Sequence, residues 1–163
     1  MDLISAIDGS IPESAGAADV LRRDHDKVRE LFRAYRRRMD EAPETCRALA
    51  GEICMQWELH TRLEHEFLYP ALRGEAGGGV QEAARAHEDI QECIAIIKRW
   101  PPDSERDSTM LRMMELAEYH MAREEEELFP LVDQTGTARA MGRDTLRRRE
   151  ELAGSTTDVE GRS

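Results

Sequence analysis

Four long segments of this chain carry apolar residues at alternating steps of three and four, the spacing of a helix that buries one face. Short breaks that contain glycine or proline separate the segments, and no segment shows the alternation typical of a strand. The pattern predicts helices over residues 18–39, 44–72, 80–100 and 105–132. Because short connections make neighbouring helices antiparallel, we expect an all-α, up-down-up-down four-helix bundle.

A histidine is the strongly polar interruption of each apolar stripe, and on the second and fourth segments a glutamate follows it by four residues. Residues four apart lie one turn apart on the same helix face. Counting about 1.5 Å of rise per residue from the breaks brings all these side chains to one depth of the bundle. The converging residues are His25, His60, Glu64, His87, His120 and Glu124.

Four imidazoles and two carboxylates buried together predict a centre that holds two metal ions. Without metal the carboxylates would lack counter-charge in the core, which is costly. Two divalent cations supply four positive charges and remove that cost. Mixed nitrogen and oxygen ligation suits iron or manganese, and zinc less specifically. Six protein ligands for two ions leave open positions, which favour a reactive centre over a purely structural one.

An internal repeat supports this interpretation. The spacing His60-x3-Glu64-x5-Pro70 recurs in the last predicted helix as His120-x3-Glu124-x5-Pro130. The lone histidines precede these motifs by 35 residues for His25 and 33 residues for His87. Two copies of a helix pair, each bringing two histidines and a glutamate, would build a pseudo-symmetric site.

At these residues the chain resembles the hemerythrin-like, HHE cation-binding domains, over about residues 18–135. The matching segments occur in the family's order: RDHDKVRELF, ELHTRLEHEFLYPAL, RAHEDI and YHMAREEEELFPL. The resemblance implies two non-haem iron ions bridged by oxo or hydroxo, with dioxygen, peroxide or nitric oxide as small-molecule partners. It implies the four histidines as terminal ligands and the two glutamates as bridging carboxylates.

Two departures from the oxygen-carrying hemerythrins bear on function. Those proteins have a further histidine one turn after the third-helix ligand, where this chain has Gln91, and a bridging aspartate five residues after the last histidine. Glu125 stands at that position here, but the match to the first repeat favours Glu124. His65 points about 140° away from His60 at 100° per residue, so we expect it to be exposed rather than a ligand.

The formal net charge of −11 would repel a phosphate backbone, so no nucleic-acid partner is expected. No segment has the apolar length of a membrane span, and the N-terminus lacks the pattern of a signal peptide, so the cytoplasm is the expected location. We expect residues 1–17 to form an arm and residues 136–163 to contain a short fifth helix over 137–152 and a disordered tail from Gly154.

Three functions are compatible with such a centre. The first is redox chemistry on dioxygen, peroxide or nitric oxide, in an oxidative-stress role, which the open ligand positions favour. The second is storage or donation of iron without turnover, and the third is sensing of iron or oxygen. The residues leave open whether the chain is an enzyme, and they do not identify the substrate, the electron donor, a protein partner or the oligomeric state.

Overall fold

The computed structural model describes residues 15–160, with side chains to residue 155, and every regular element in that part of the chain is a helix. Helix α1 spans Ala17–Arg38, α2 spans residues 43–71, α3 spans Gly79–Ile97, α4 spans residues 103–133 and α5 spans Ala138–Glu160. Helices α1 to α4 form the predicted bundle, and the all-α fold class is confirmed. Within the described residues, none of the helices is long and apolar enough to cross a membrane.

The helix boundaries follow from local residue chemistry. Asp19 accepts a hydrogen bond from the Gly16 amide at 3.0 Å, which caps the start of α1. Pro43 occupies the first turn of α2, where its missing N–H costs nothing. The break before α3 contains Gly77 at φ +53°, a backbone conformation that favours glycine. Pro102 precedes α4 at φ −51° and ψ 150°, an extended conformation from which the helix begins.

Helices α2 and α4 each contain one π-helical turn, which the sequence did not predict. These turns span Glu64–Leu68 and Glu124–Leu128, and each begins at a glutamate of the motif. The backbone N–H of Tyr69 bonds to the carbonyl of Glu64, five residues back. A proline stands two residues after the end of each turn, and its ring cannot pack against the carbonyl four residues before it, which accounts for the wider turn. Such turns are frequent at functional sites.

The core consists of two apolar clusters with a polar layer between them. One cluster is centred on Phe32, Trp57 and Ile94, and the other on Leu21, Leu63 and Phe129, with every one of these side chains at most 1% exposed. In each bundle helix the predicted histidine lies in the chain between residues of the two clusters. The bundle therefore encloses the polar layer from both ends.

Helix α5 is a part of the packed structure, and it is longer than the predicted short helix. It packs on α1 and α2, with Met141 and Leu152 against the second apolar cluster and Thr145 fully buried. The expectation of disorder from Gly154 is wrong as far as Glu160, because the backbone stays helical and the Ser155 hydroxyl donates to the Glu151 carbonyl at 2.9 Å. Residues 161–163 and residues 1–14 of the expected arm lie outside the described residues.

Candidate metal centre

The structure brings all six predicted site residues together in the polar layer. None is more than 5% exposed. Their ligand atoms form two groups, each with its atoms within 4.8 Å of one another. The first group contains His25 and His60, the second contains His87 and His120, and Glu64 and Glu124 belong to both. A pair of histidines with two shared carboxylates is the arrangement expected for two adjacent ions.

The imidazole nitrogens of each pair face one another. The distance between the Nε2 atoms is 3.0 Å for His25 and His60, and 2.9 Å for His87 and His120. Two nitrogens that each lie about 2.1 Å from one ion, at roughly a right angle, would be about 3.0 Å apart. The spacing within each pair therefore suits joint ligation of a single ion.

Each glutamate reaches both histidine pairs. Glu64 Oε1 lies 2.8 Å from His60 Nε2, and its Oε2 lies 3.0 Å from His87 Nε2. Glu124 Oε2 lies 3.2 Å from His120 Nε2 and 3.5 Å from His25 Nε2. The two carboxylates are thus placed where bridging ligands would be.

The donor set fits a metal better than it fits a hydrogen-bonded core. Both oxygens of Glu64 and Oε2 of Glu124 are buried and have no hydrogen-bond partner of acceptable geometry, although imidazole nitrogens lie close to them. Buried carboxylate oxygens without partners are expensive. A cation between the nitrogens and these oxygens would satisfy both at once, so the donor set of these residues fits a metal.

In the metal-free cluster, burial and the neighbouring charges shift the pKa values of the histidines and of Glu64. Burial works against charge on His60, but the nearby carboxylates outweigh it and raise the pKa of His60 to about 10. The same balance, led by Glu124, raises the pKa of His120 to about 9. Burial lowers the pKa of His87. Burial also acts against ionisation of Glu64, yet the charge of His60 holds the pKa of Glu64 well below its usual value.

Metal loading at neutral pH should therefore release protons. With pKa values of about 10 and about 9, His60 and His120 are protonated at pH 7 in the metal-free protein, and ligand imidazoles must be neutral. We expect about two protons from these imidazoles per fully loaded chain, and an apparent metal affinity that rises with pH up to about 10, where His60 has lost its proton and protons no longer compete. A pH-stat titration with Mn²⁺ under nitrogen measures this directly. Metal uptake without proton release would contradict the assignment.

A second ring of polar side chains holds the histidines, and it differs between the two pairs. His25 Nδ1 lies 2.7 Å from Glu125 Oε1, and Arg29 Nη1 donates to the same oxygen at 2.7 Å. The hydrogen bond with His25, the largest cause, and the contact with Arg29 lower the pKa of Glu125 to about 2, although burial acts to raise it. Glu125 is thus a support for His25, and Glu124 lies in the ligand cluster.

His60 is supported by Asp24 of α1, which is in turn bound by Arg149 of α5. Its Nδ1 lies 3.9 Å from Oδ2 of Asp24, a distance for charge attraction rather than a hydrogen bond, and Asp24 Oδ1 accepts a 2.6 Å hydrogen bond from Arg149 Nε. Burial acts to raise the pKa of Asp24, but His60 and Arg149 lower it overall. The sequence analysis missed both residues. The position of Asp24 next to His25 in the sequence could have indicated a role near the site. No feature of the sequence around Arg149 indicates such a role.

His87 is supported by another imidazole. Its Nδ1 lies 3.3 Å from Nε2 of His65. His65 is exposed and belongs to neither ligand group, as the helix geometry predicted. Its position next to His87 gives it a supporting contact that the sequence did not predict.

Aromatic side chains form the walls of the centre. Trp57 packs beneath it, with its ring centroid 5.6 Å from that of His60 and 5.7 Å from that of His120. The Tyr69 hydroxyl donates to Glu124 Oε1 at 3.0 Å and lies 3.4 Å from His87 Nε2. Burial and the two glutamates raise the pKa of Tyr69 far above its ordinary value, so the hydroxyl keeps its proton. The sequence did not predict this contact.

A surface groove leads to one side of the centre. It lies between α3 and α4 and has a volume of about 410 Å³. Two ligand candidates, His120 and Glu124, form part of its wall, together with Ala83, Ala86 and Leu116. The centre is therefore buried but accessible to small molecules.

A helical bundle with paired histidines and shared buried carboxylates defines a class of cation-binding proteins. The chain matches the family model described as hemerythrin HHE cation-binding domain over residues 16–151, and it belongs to that family. The resemblance seen in the sequence is confirmed, and the match extends past residue 135 into α5.

Two individual proteins are similar to this chain. A crystal structure of a hemerythrin HHE cation-binding domain-containing protein from Mycobacterium kansasii, an Rv2633c homolog, matches with a TM-score of 0.71 at 25% identity. That match covers 86% of this chain and 89% of the other. A protein named DNA nickase from Nostoc sp. (strain PCC 7120 / SAG 25.82 / UTEX 2576) is 28% identical over 126 residues. The match covers 76% of this chain but only 35% of the nickase.

Proposed function

We propose that this chain is a non-haem di-iron protein whose centre reacts with dioxygen, peroxide or nitric oxide in a redox role. The observation that carries the proposal is the pair of ligand groups that share Glu64 and Glu124 and lie beside the α3–α4 groove. Each group offers two imidazoles and two shared carboxylates, and this mixed set suits iron. Membership of a cation-binding family supports metal binding itself.

The protein residues contribute binding, orientation and proton control. The four histidines and two glutamates would hold the ions, which would supply electrons and open positions for a small oxidant. Trp57 and the apolar clusters keep bulk water away from the layer. The Tyr69 hydroxyl is a proton donor 3.0 Å from Glu124 and next to His87, so it can donate a hydrogen bond at the centre. Glu125, at 2.7 Å from His25 Nδ1, keeps that imidazole oriented, and Asp24, at 3.9 Å from His60 Nδ1, attracts its charge.

The name of the Nostoc relative does not extend the proposal to DNA cleavage. This chain spans about a third of that protein, so the nicking activity belongs to a much longer molecule. The net charge of −11 repels a phosphate backbone, and the acidic balance argues against nucleic acid as a partner of this chain.

The test begins with anaerobic protein loaded with Fe(II), to which oxygen is admitted and then purged. We expect two irons per chain by metal analysis, and an iron-dependent charge-transfer band that persists after purging, together with consumption of added peroxide. A band that disappears on purging would indicate reversible binding and support a carrier or sensor. Iron that passes freely to a competing chelator, without peroxide consumption, would support storage or donation.

The matched control uses two histidines of α2. His60→Ala removes a ligand candidate, and we expect loss of iron and of peroxide consumption. His65→Ala removes an imidazole five residues away that contacts His87 but is exposed and outside both ligand groups, and with metal in excess we expect two irons and the band to persist. Equal loss in both variants would contradict the assignment of the site.

A further inference from the structure

Trp57 contacts three of the four histidines of the centre. Its ring centroid lies 5.6 Å from that of His60, 5.7 Å from that of His120 and 6.2 Å from that of His87. The side chain is 1% exposed and belongs to the apolar cluster that contains Phe32. An indole ring is among the side chains that lose an electron most readily. Its position against three ligand candidates is therefore suited to passing an electron into the centre.

Tyr35 lies in the same apolar cluster, and its hydroxyl belongs to a polar network at the N-terminal end of α4. The side chain is fully buried. Its hydroxyl donates to Asp107 Oδ1 at 2.5 Å, and Arg106 Nε donates to the hydroxyl oxygen at 3.0 Å. Arg106 also donates to Asp107 at 2.9 Å and to Asp103 at 2.6 Å. The Asp107 side chain is 20% exposed, so the network connects the buried phenol to water.

The hydrogen bond between Tyr35 and Asp107 favours oxidation of the phenol. When a phenol loses an electron, its hydroxyl becomes strongly acidic, and the proton can move to the carboxylate along the existing hydrogen bond. The product is a neutral radical rather than a buried cation, which an apolar core would disfavour. Burial and the Asp107 carboxylate raise the pKa of Tyr35 above its ordinary value. The hydroxyl therefore keeps its proton until the electron leaves.

Trp57 and Tyr35 lie on the same side of the polar layer. His25 and His60 share one level of the bundle, since their Nε2 atoms are 3.0 Å apart. Trp57 precedes His60 by three residues, and Tyr35 follows His25 by ten residues in the antiparallel neighbour. At about 1.5 Å of rise per residue, the two side chains are separated by about 10 Å along the bundle. Single electrons cross such distances between aromatic rings in proteins, and apolar side chains of the cluster fill the space.

The other two tyrosines of the chain are placed differently. Tyr69 donates to Glu124, a ligand candidate, so a metal ion would compete with a proton for that carboxylate. Tyr119 is 66% exposed, and its hydroxyl accepts a hydrogen bond from Arg123. Of the three tyrosines, all of which the structure describes, Tyr35 is the one that combines burial with a carboxylate outside both ligand groups.

We propose that Trp57 and Tyr35 form a path by which the protein supplies an electron to the centre, with Asp107 as the acceptor of the Tyr35 proton. This inference rests on the proposed di-iron function. Two Fe(II) ions supply the two electrons that reduce one hydrogen peroxide to water, so further peroxide requires another donor. In that reaction one electron comes from Tyr35 through Trp57 and the second from iron, and two solvent protons complete the water molecules. The O–H bond of Tyr35 breaks, Asp107 gains the proton, and a neutral tyrosyl radical remains.

Electron paramagnetic resonance of freeze-quenched samples tests the path, with Fe(II)-loaded protein mixed with excess hydrogen peroxide. We expect a tyrosyl radical in the wild type and in Tyr119→Phe, and none in Tyr35→Phe, with two irons per chain in all three. Phenylalanine keeps the ring that fills the core, and Tyr119 is the exposed control. A radical of wild-type intensity in Tyr35→Phe would overturn the proposal and place the radical on another side chain.

Asp107→Asn tests the proton transfer and keeps the phenol. The amide oxygen can still accept the hydrogen bond but not the proton. We therefore expect the radical to form about a hundredfold more slowly, the lower end of what a positioned proton acceptor contributes. Asp103→Asn is the matched control, because Asp103 accepts from Arg106 and Arg47 and its loss should leave the rate unchanged. Equal rates in the two variants would overturn the assignment of Asp107.

Peptide mass spectrometry supplies a measurement that a packing role of Tyr35 would not change. An oxidised Trp57 persists when Tyr35 cannot reduce it, so oxygen addition to Trp57 should increase in Tyr35→Phe, relative to the 64% exposed Trp100. An unchanged ratio would overturn the path through Trp57. Wild-type protein that binds no iron or consumes no peroxide would refute the proposed function, and this inference with it. Peroxide consumption at two irons per chain without a radical would refute the path alone.

Discussion

Glu64→Gln will remove both ions from the protein and abolish the stabilisation that metal gives it. Glutamine keeps the size of the side chain but loses the negative charge, and Glu64 is fully buried between all four histidines. Because it belongs to both ligand groups, its loss weakens both positions. Binding of an ion at a hundredfold excess over its Kd stabilises a fold by about 2.7 kcal/mol, so the loaded variant should melt about 10 °C or more below the loaded wild type.

The measurement pairs metal analysis with thermal denaturation of loaded and metal-free protein. Glu126→Gln is the matched control, since Glu126 lies in the equivalent π turn of α4 but is exposed and outside both ligand groups. We expect Glu126→Gln to keep two irons and the full metal-dependent rise in Tm. Two irons in Glu64→Gln would refute the shared carboxylate, and one iron would mean that Glu64 serves a single position.

The fold and the ligand cluster could be predicted because both leave a periodic signal in the chain. A buried helix face must repeat every three or four residues, so a histidine at a seam position such as His87 is recognisable as an inward side chain. The common depth followed from helix rise and the position of the breaks. Glu124 could be preferred over Glu125 because the first repeat has its glutamate at the same spacing, and the structure places Glu124 in the cluster and Glu125 behind His25.

What the sequence did not predict depends on contacts between distant residues. Arg149 meets Asp24 across 125 positions, and no local pattern indicates such a pair. The sequence predicted only a short fifth helix over residues 137–152 and no contact for it, yet Met141 and Leu152 of α5 pack against the second apolar cluster. Each π turn begins at a motif glutamate and is followed by a proline six residues after that glutamate. The proline changes the helix geometry by steric contact, and this effect leaves no periodic pattern in the sequence.

The second large effect is expected from variants of Asp24 and Arg149, the pair through which α5 contacts the centre. Their substitution should change the stability of the metal-free protein. Arg149→Met removes the hydrogen-bonded cation of the buried Asp24 carboxylate and leaves it only His60, whose Nδ1 lies 3.9 Å away, and this loss costs up to about 3 kcal/mol. Asp24→Asn removes the charge instead and leaves Arg149, which is 21% exposed, able to reach water. The metal-free Arg149→Met protein should therefore be the less stable of the two, and the double variant should recover most of the loss.

For metal affinity we expect the opposite ranking of the two variants from that for stability. The reason is that Asp24, not Arg149, faces His60 Nδ1. Loss of a polar partner behind a ligand histidine typically costs about 10–100-fold in affinity, so Asp24→Asn should bind metal more weakly than Arg149→Met. Urea denaturation of metal-free protein and chelator competition with Mn²⁺ measure the two quantities separately. Arg147→Met is the control, since Arg147 is 70% exposed on the same helix and pairs only locally with Asp144 among the described contacts. If affinity followed stability across the four variants, α5 would be a packing element alone; opposite orders would show that Asp24 acts on the metal ligand and Arg149 on Asp24.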